Sequence, residues 1–250
     1  ALEQGWITSA RILVPCPWFP DVVRFAREHP DADLGIHLAL NSEWTPYRWG
    51  PVSQRAAVPS LLDDAGYLPL TPAEVGEKAK PAEVEVELRA QIERARDAGI
   101  HLTHFDSHMG TVMRFPQFFS IYQKLRDDYG LPVLIPRRVG NPEFDRLLAQ
   151  AAPSIDQVLM LETAVPREQW VEAYQEMLKP LPPGVYQLIV HLAYDDEEMR
   201  GATWDHPDFG AAWRQADLDL VRSPGFREFL RQEGFILIKW KDLARVQGER

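Results

Sequence analysis

Three histidines and an aspartate stand within eight positions in "HLTHFDSHMG", residues 101–110, in a chain of 250 residues that holds seven histidines. In an extended strand His104, Asp106 and His108 are two residues apart and project from one face, while Thr103, Phe105 and Ser107 project from the other. Polar groups crowded on an interior face need a shared partner, because burying one without a partner costs about 1–3 kcal/mol. Two more histidines lie in apolar runs, His37 in "LGIHLAL" and His191 in "QLIVHL". Neutral imidazoles beside a carboxylate are ligands for a divalent transition metal such as Zn²⁺, and an open coordination position then activates water for hydrolysis. His-x-Asp-x-His on a strand also serves as plain hydrogen-bond scaffolding, so the spacing leaves both readings open.

Short apolar runs alternate with amphipathic stretches, and these must position the histidines. Strands are predicted at 10–15, 34–40, 100–107, 131–136, 157–161, 186–192 and 235–240, with helices near 20–29, 83–98, 116–129, 143–151, 167–178 and 208–232. Several helices are closed by Gly or Pro, as in "DAGI", "DYGLP" and "QEGF". This order predicts an α/β fold with a parallel sheet that closes into a TIM-like (β/α) barrel, one domain over 1–250. Active sites of such barrels are built at the C-terminal ends of the strands, and three of the predicted strands carry a histidine near that end. The opening "ALEQGWITSA" reads as the end of a helix running into a strand, so the chain is expected to begin inside its own fold, with a first strand missing.

The long irregular stretch 41–82 is rich in Pro, Trp and Tyr and is expected to be a substrate-loop insertion. Within "NSEWTPYRWGPVS" it presents Trp44, Tyr47, Arg48 and Trp49. Aromatic faces stack on sugar rings, and arginine holds phosphate, carboxylate or hydroxyl groups. Trp44, Arg48 and Trp49 are therefore the candidate substrate-binding residues. Arg137, Arg138 and Glu162 follow predicted strands, where either a mouth position or a solvated one fits. His29, His101 and His206 flank helices or loops and are expected at the surface or at caps.

Composition narrows the partners. The formal charge is −10 with acidic and basic residues interspersed, so no basic stripe is available for a phosphate backbone and no nucleic-acid partner is expected. The single cysteine, Cys16, cannot form an internal disulfide, which suits a reducing compartment and a cytoplasmic location. No apolar run approaches the roughly 18 residues of a membrane span, and no basic region followed by an apolar stretch opens the chain.

The segments "DLGIHLAL", "THFDSHMGTV" and "VHLAYDDEEM", followed by "WRQADLDLVRSPGFREFLRQEGFILIKW", resemble in order and spacing the YdjC-like (ChbG/HpnK) carbohydrate deacetylase family over nearly the whole chain. The resemblance implies a deformed (β/α) barrel and metal-dependent hydrolysis of the N-acetyl group of an amino sugar. By position it places the family's metal histidines on His37 and His108, with Zn²⁺ or Mg²⁺ as the ion. It places the acid for the departing amine on His191, and Asp106 as the carboxylate that orients a ligand or the substrate. The family's strand ending in an Asp-Asp-Phe-Gly-like motif, which supplies a metal ligand and the general base, has no counterpart here. The pairs Asp63–Asp64, Asp127–Asp128 and Asp195–Asp196 are read as turn, helix-end and loop residues, and the chain is expected to be a fragment or a member with an impaired site.

The partner expected is thus a small-molecule amino sugar, with homo-oligomerisation left open. Two other classes stay open at this point: a metal-dependent sugar isomerase or epimerase, which shares His and carboxylate ligands at strand ends, and a sugar-binding barrel that has lost the chemistry. Acetate release separates the first from a deacetylase, and binding without turnover identifies the second.

Overall fold

The computed structural model describes residues 1–139, 141–149, 151 and 154–243. Contacts gather these into two compact units, one built mainly from Thr8–Leu134 with 238–243, the other mainly from Ile135–Leu237.

In the unit built on Thr8–Leu134, three strands form a parallel sheet in the order β1 (Ala10–Ile12), β2 (Leu34–Leu38) and β3 (Leu102–Ser107). Helices α1 (Phe19–Glu28), α2 (Pro72–Lys78), α3 (Pro81–Asp97) and α4 (Pro116–Tyr129) lie between and after these strands. Every residue of β3 is buried, as expected where a parallel sheet is covered on both faces. Its apolar side chains join Ile12, Ile36, Leu38, Leu88, Ile92, Phe118 and Tyr122 in the core. The buried Tyr122 hydroxyl lies 3.2 Å from both the Phe105 and Leu134 carbonyl oxygens, tying α4 to β3 and to the segment beside it.

Sequence signals explain most boundaries in this unit. The clearest case is α2: Thr71 accepts from the Glu74 amide while the Glu74 side chain accepts from the Thr71 amide, a reciprocal cap ahead of Pro72. The helix lies inside the stretch expected to be irregular, because a cap and one buried valine suffice for two turns. Gly130 ends α4 in the left-handed region at φ 62°, which a residue with a side chain adopts only at a cost.

The unit built on Ile135–Leu237 pairs β4 (Gln157–Leu159) with β5 (Tyr186–Leu188), again in parallel. Its helices are α5 (Pro142–Leu148), α6 (Trp170–Leu178), α7 (Glu197–Ala202), α8 (Ala211–Arg222) and α9 (Pro224–Gln232). Leu159, Trp170, Tyr174, Leu178, Trp213, Leu220, Phe226 and Leu230 form its core. The single helix expected over 208–232 is two, because Pro224 cannot continue α8 and instead opens α9 with Ser223 as its cap.

The parallel α/β character expected from sequence is present, whereas no closed barrel is formed among the described residues. The run 131–136 contributes only single parallel bridges, Phe105 with Val133 and Pro136 with Ile155. The run 235–240 makes no ladder, and Ile236, Leu237 and Ile238 are exposed. Neither run forms the strand expected of it, because apolar periodicity cannot say whether a run finds backbone partners. Among the described residues no helix is long and apolar enough to cross a membrane.

Candidate active site

The sheet register brings the first pair together. His37 on β2 is directly opposite Asp106 on β3, and His37 Nδ1 lies 2.5 Å from Asp106 Oδ1. From β1, Arg11 Nε reaches Asp106 Oδ2 at 2.8 Å. Burial alone would raise the Asp106 carboxyl, but the Arg11 guanidinium and then His37 outweigh it and hold Asp106 down at about 2. An ionised Asp106 accepts the Nδ1 proton of His37, which fixes the tautomer and leaves Nε2 as a free lone pair.

His108 follows directly on β3 and begins a 3₁₀ turn, His108–Met113. Its ring stands 5.1 Å from that of His37, centroid to centroid, at 77°. His108 Nε2 lies 2.7 Å from Glu43 Oε2, and the Trp49 ring packs 5.8 Å from the His108 ring. Met109 holds φ 50°, unusual for a residue with a side chain, and its sulfur accepts from Asn41 Nδ2 at 3.0 Å. The buried Asn41 also accepts from Thr111 Oγ1 at 2.8 Å, so one amide ties the end of β2 to the turn that carries His108.

The end of β2 is itself read by α3. Gln91 accepts from the Ala39 amide at 3.0 Å and donates to the Ala39 carbonyl at 2.7 Å, replacing a missing strand partner. Glu87 accepts from the Val52 and Ser53 amides, both at 2.9 Å. Two buried polar residues of one helix thus anchor both the strand end and the loop that follows it.

Within that loop the three expected substrate-binding residues are placed differently. Trp44 is half-buried, with its ring 6.4 Å from that of Trp49. Trp49 is only 3% exposed, and its amide donates to Ser42 Oγ at 2.9 Å, which makes it a wall of the loop's own core. Arg48 spends its guanidinium on Asp63 Oδ2 at 2.8 Å and on the Leu68 carbonyl at 2.5 Å, clamping the loop shut.

His104 departs from the simple alternation of the strand. Leu34 pairs with Leu102 and Ile36 with Phe105, so β3 takes three steps where β2 takes two. That irregularity lets Thr103 and His104 meet, with Thr103 Oγ1 2.9 Å from His104 Nδ1 and 2.7 Å from Asp33 Oδ1. The His104 ring fills the space over Gly35, where an added Cβ would lie 2.5 Å from Nε2, and stacks at 4.8 Å on Trp240. Burial lowers its pKa, against the pull of Asp33, so it is a neutral core residue on the Asp33 network.

The late histidine belongs to the other unit. His191 lies half-buried in the irregular stretch after β5, its ring 5.2 Å from that of Trp213 and its amide 2.8 Å from Asp217 Oδ2. The aspartate pairs are used locally: Asp63 takes the Ala65 and Tyr67 amides in a turn, Asp127 pairs with Arg126, Asp128 with Arg89, Asp195 with Arg200, and Asp196 caps α7. Arg137 pairs with Asp156 at 2.9 Å, while Arg138 and Glu162 are exposed.

Sequence reasoning missed Arg11, Glu43, Asn41 and Asp217. Arg11 carried a signal, a charge inside the apolar run "ARILVP". Glu43 was simply one acid among many in a loop. As for a metal, two imidazoles with one oriented through a carboxylate fit a divalent ion. They supply two ligands, since among the described residues no group of three or more His, Cys, Asp or Glu is placed to hold one.

Comparison with known proteins finds relatives over nearly the whole chain. A carbohydrate deacetylase of Thermus thermophilus is 32% identical over 250 residues, covering 96% of this chain and 86% of that protein. One from Brevibacillus brevis is 29% identical, covering 98% and 91%. The crystal structure of a proposed cellobiose-phosphate cleavage protein of Enterococcus faecalis superposes with a TM-score of 0.80 at 24% identity, over 97% of this chain and 90% of that one, and shares the fold. The model of the family described as YdjC-like protein matches residues 1–232, and the chain belongs to that family.

Proposed function

We propose that this protein is a carbohydrate deacetylase that hydrolyses the N-acetyl group of an acetylated amino sugar with a divalent ion held by His37 and His108. The observation that carries the reading is the His37–His108 pair, with His37 aimed by a buried carboxylate that Arg11 keeps ionised. Relatives named carbohydrate deacetylase, alike over nearly the full length, support the same reaction.

An ion bound there supplies Lewis acidity toward an acyl oxygen and lowers the pKa of a coordinated water. The chain's own residues do the rest. Asp106 accepts from His37 Nδ1, so that Nε2 would be the atom left to hold an ion. Glu43, 2.7 Å from His108 Nε2, holds that ring in place and adds negative charge beside the pair. Trp49 excludes water from one side of His108, and the half-buried Trp44 offers an aromatic face to a sugar ring. His191 is the acid for the departing amine, the role its position in the family pattern gives it.

Acetate release from N-acetylated mono- and disaccharides, measured with Zn²⁺ or Mg²⁺ and again after chelation, tests the reading. Metal-dependent acetate release is expected. Sugar binding with no acetate released under any metal would overturn it in favour of a binding protein, and sugar rearrangement without acetate in favour of an isomerase.

A further inference from the structure

Asp217 on α8 is 0% exposed and meets two aromatic residues of its unit's core, Trp170 and Tyr174. A carboxylate in such a place is retained only where its oxygens are fully engaged. Asp217 Oδ1 accepts from Trp170 Nε1 and from the Tyr174 hydroxyl, each at 3.0 Å, and Oδ2 accepts from the His191 amide at 2.8 Å. Burial raises its pKa and these three donors oppose the shift, the His191 amide foremost.

The backbone around His191 needs this support. β5 ends at Leu188, and beyond it the Ile189 amide still reaches the Leu159 carbonyl at 2.8 Å. His191 lies past that bond to β4, and its amide turns to a side chain instead. Two rigid aromatic donors fix one oxygen of Asp217, which leaves the other at a set point in the core. His191 is thereby held at its backbone by Asp217 and against its ring by Trp213. A carboxylate serving only as core filler would be met equally well by an apolar residue of the same size.

We infer that Asp217 is a positioning residue for His191, setting the place from which that imidazole delivers its proton. The catalytic half of this inference rests on the deacetylase reading, whereas the geometric half does not. An asparagine at 217 keeps the shape but must turn a donor toward one of three donors. A leucine keeps the volume and accepts nothing.

The test uses the full chain loaded with Zn²⁺, comparing Asp217→Asn, Asp217→Leu, His191→Ala and the double variant Asp217→Leu with His191→Ala. The His191 ring signal is read by NMR without substrate, assigned by its loss in His191→Ala. It is expected to shift in Asp217→Leu and, to a lesser extent, in Asp217→Asn. For acetate release, kcat in Asp217→Leu should fall by about 10- to 100-fold, the range seen when supporting residues are removed, with KM changed by less than about threefold. The double variant should be no slower than His191→Ala. An unmoved His191 signal in the folded Leu variant, or in the Asn variant should the Leu variant not fold, overturns the inference, as does a double variant slowed by the product of both losses. A shifted signal in Asp217→Leu together with full activity in His191→Ala would leave the positioning intact and remove His191 from the reaction.

Discussion

His37 and Asp106 are cross-strand neighbours in a parallel sheet, and the 2.5 Å contact between Nδ1 and Oδ1 follows from that register. Arg11 on β1 completes the row, so three adjacent strands each contribute one member of a charged line through an otherwise apolar sheet. Removing Arg11 leaves the buried Asp106 carboxylate without its cation.

Arg11→Ala is therefore expected to destabilise the chain by about 3–5 kcal/mol, the usual cost of breaking a buried ion pair. Asp106→Asn should cost less stability but weaken metal binding by about 10- to 100-fold, because His37 loses the acceptor that sets its tautomer. Adding Asp106→Asn to Arg11→Ala should recover part of the lost stability, read by urea denaturation. Additive losses in the double variant would show that the two residues act separately.

The two tryptophans of the loop should separate in their effects. Trp49, buried against His108, is expected to cost about 3–5 kcal/mol when replaced by Ala. Trp44, half-buried, should leave stability nearly unchanged while raising KM for an amino sugar by about 3- to 10-fold, the value of one stacked ring. A Trp44→Ala variant with unchanged KM would take that ring out of substrate binding.

Acid should loosen the joint between the sheet and the segment 240–243 through Asp33. Burial raises the Asp33 carboxyl, but bonds from His104, the Lys241 amide and Thr103 outweigh it and bring it down to about 2, from 3.8. A group whose folded pKa lies below its unfolded value binds fewer protons in the folded state, so its contribution is complete above about pH 4 and is lost as pH falls toward 2. Urea denaturation of the wild type should weaken across that window, and Asp33→Asn should weaken less steeply. Equal pH dependence in the two proteins would assign the acid sensitivity elsewhere.

Much of this was legible in the sequence, for reasons that differ from residue to residue. His37 and His108 were picked out by the resemblance of their strands to the family's histidine-bearing segments, strand position alone leaving a core role open, and the structure brings their rings within 5.1 Å. His104 stood on the same strand by the same parity, yet it went into the core. An irregular step opposite Gly35 turned Thr103 toward it, and a strand pattern of period two cannot show such a step. Trp44, Arg48 and Trp49 shared one composition signal, but only packing distinguishes a loop's outer face from its own small core. Arg11 showed only as a charge inside an apolar run and Asp217 not at all, because their meaning lies in which buried group they meet. The helix behind the Thr71 cap and the break at Pro224 were both passed over, because a short capped helix and a proline inside a long amphipathic run carry weaker signals than the periodicity around them, while the pairing of the runs 131–136 and 235–240 depends on partners distant in sequence.

The shared ion is the centre of the account, and equilibrium dialysis against Zn²⁺ measures it without reference to any substrate. One ion per chain is expected for the wild type. His37→Ala and His108→Ala should each weaken binding by more than the roughly 10- to 100-fold that loss of a supporting residue costs, with His104→Ala leaving affinity unchanged in the folded protein. Wild-type affinity in both His37→Ala and His108→Ala would contradict the shared site and, with it, the metal-dependent reaction proposed for this chain.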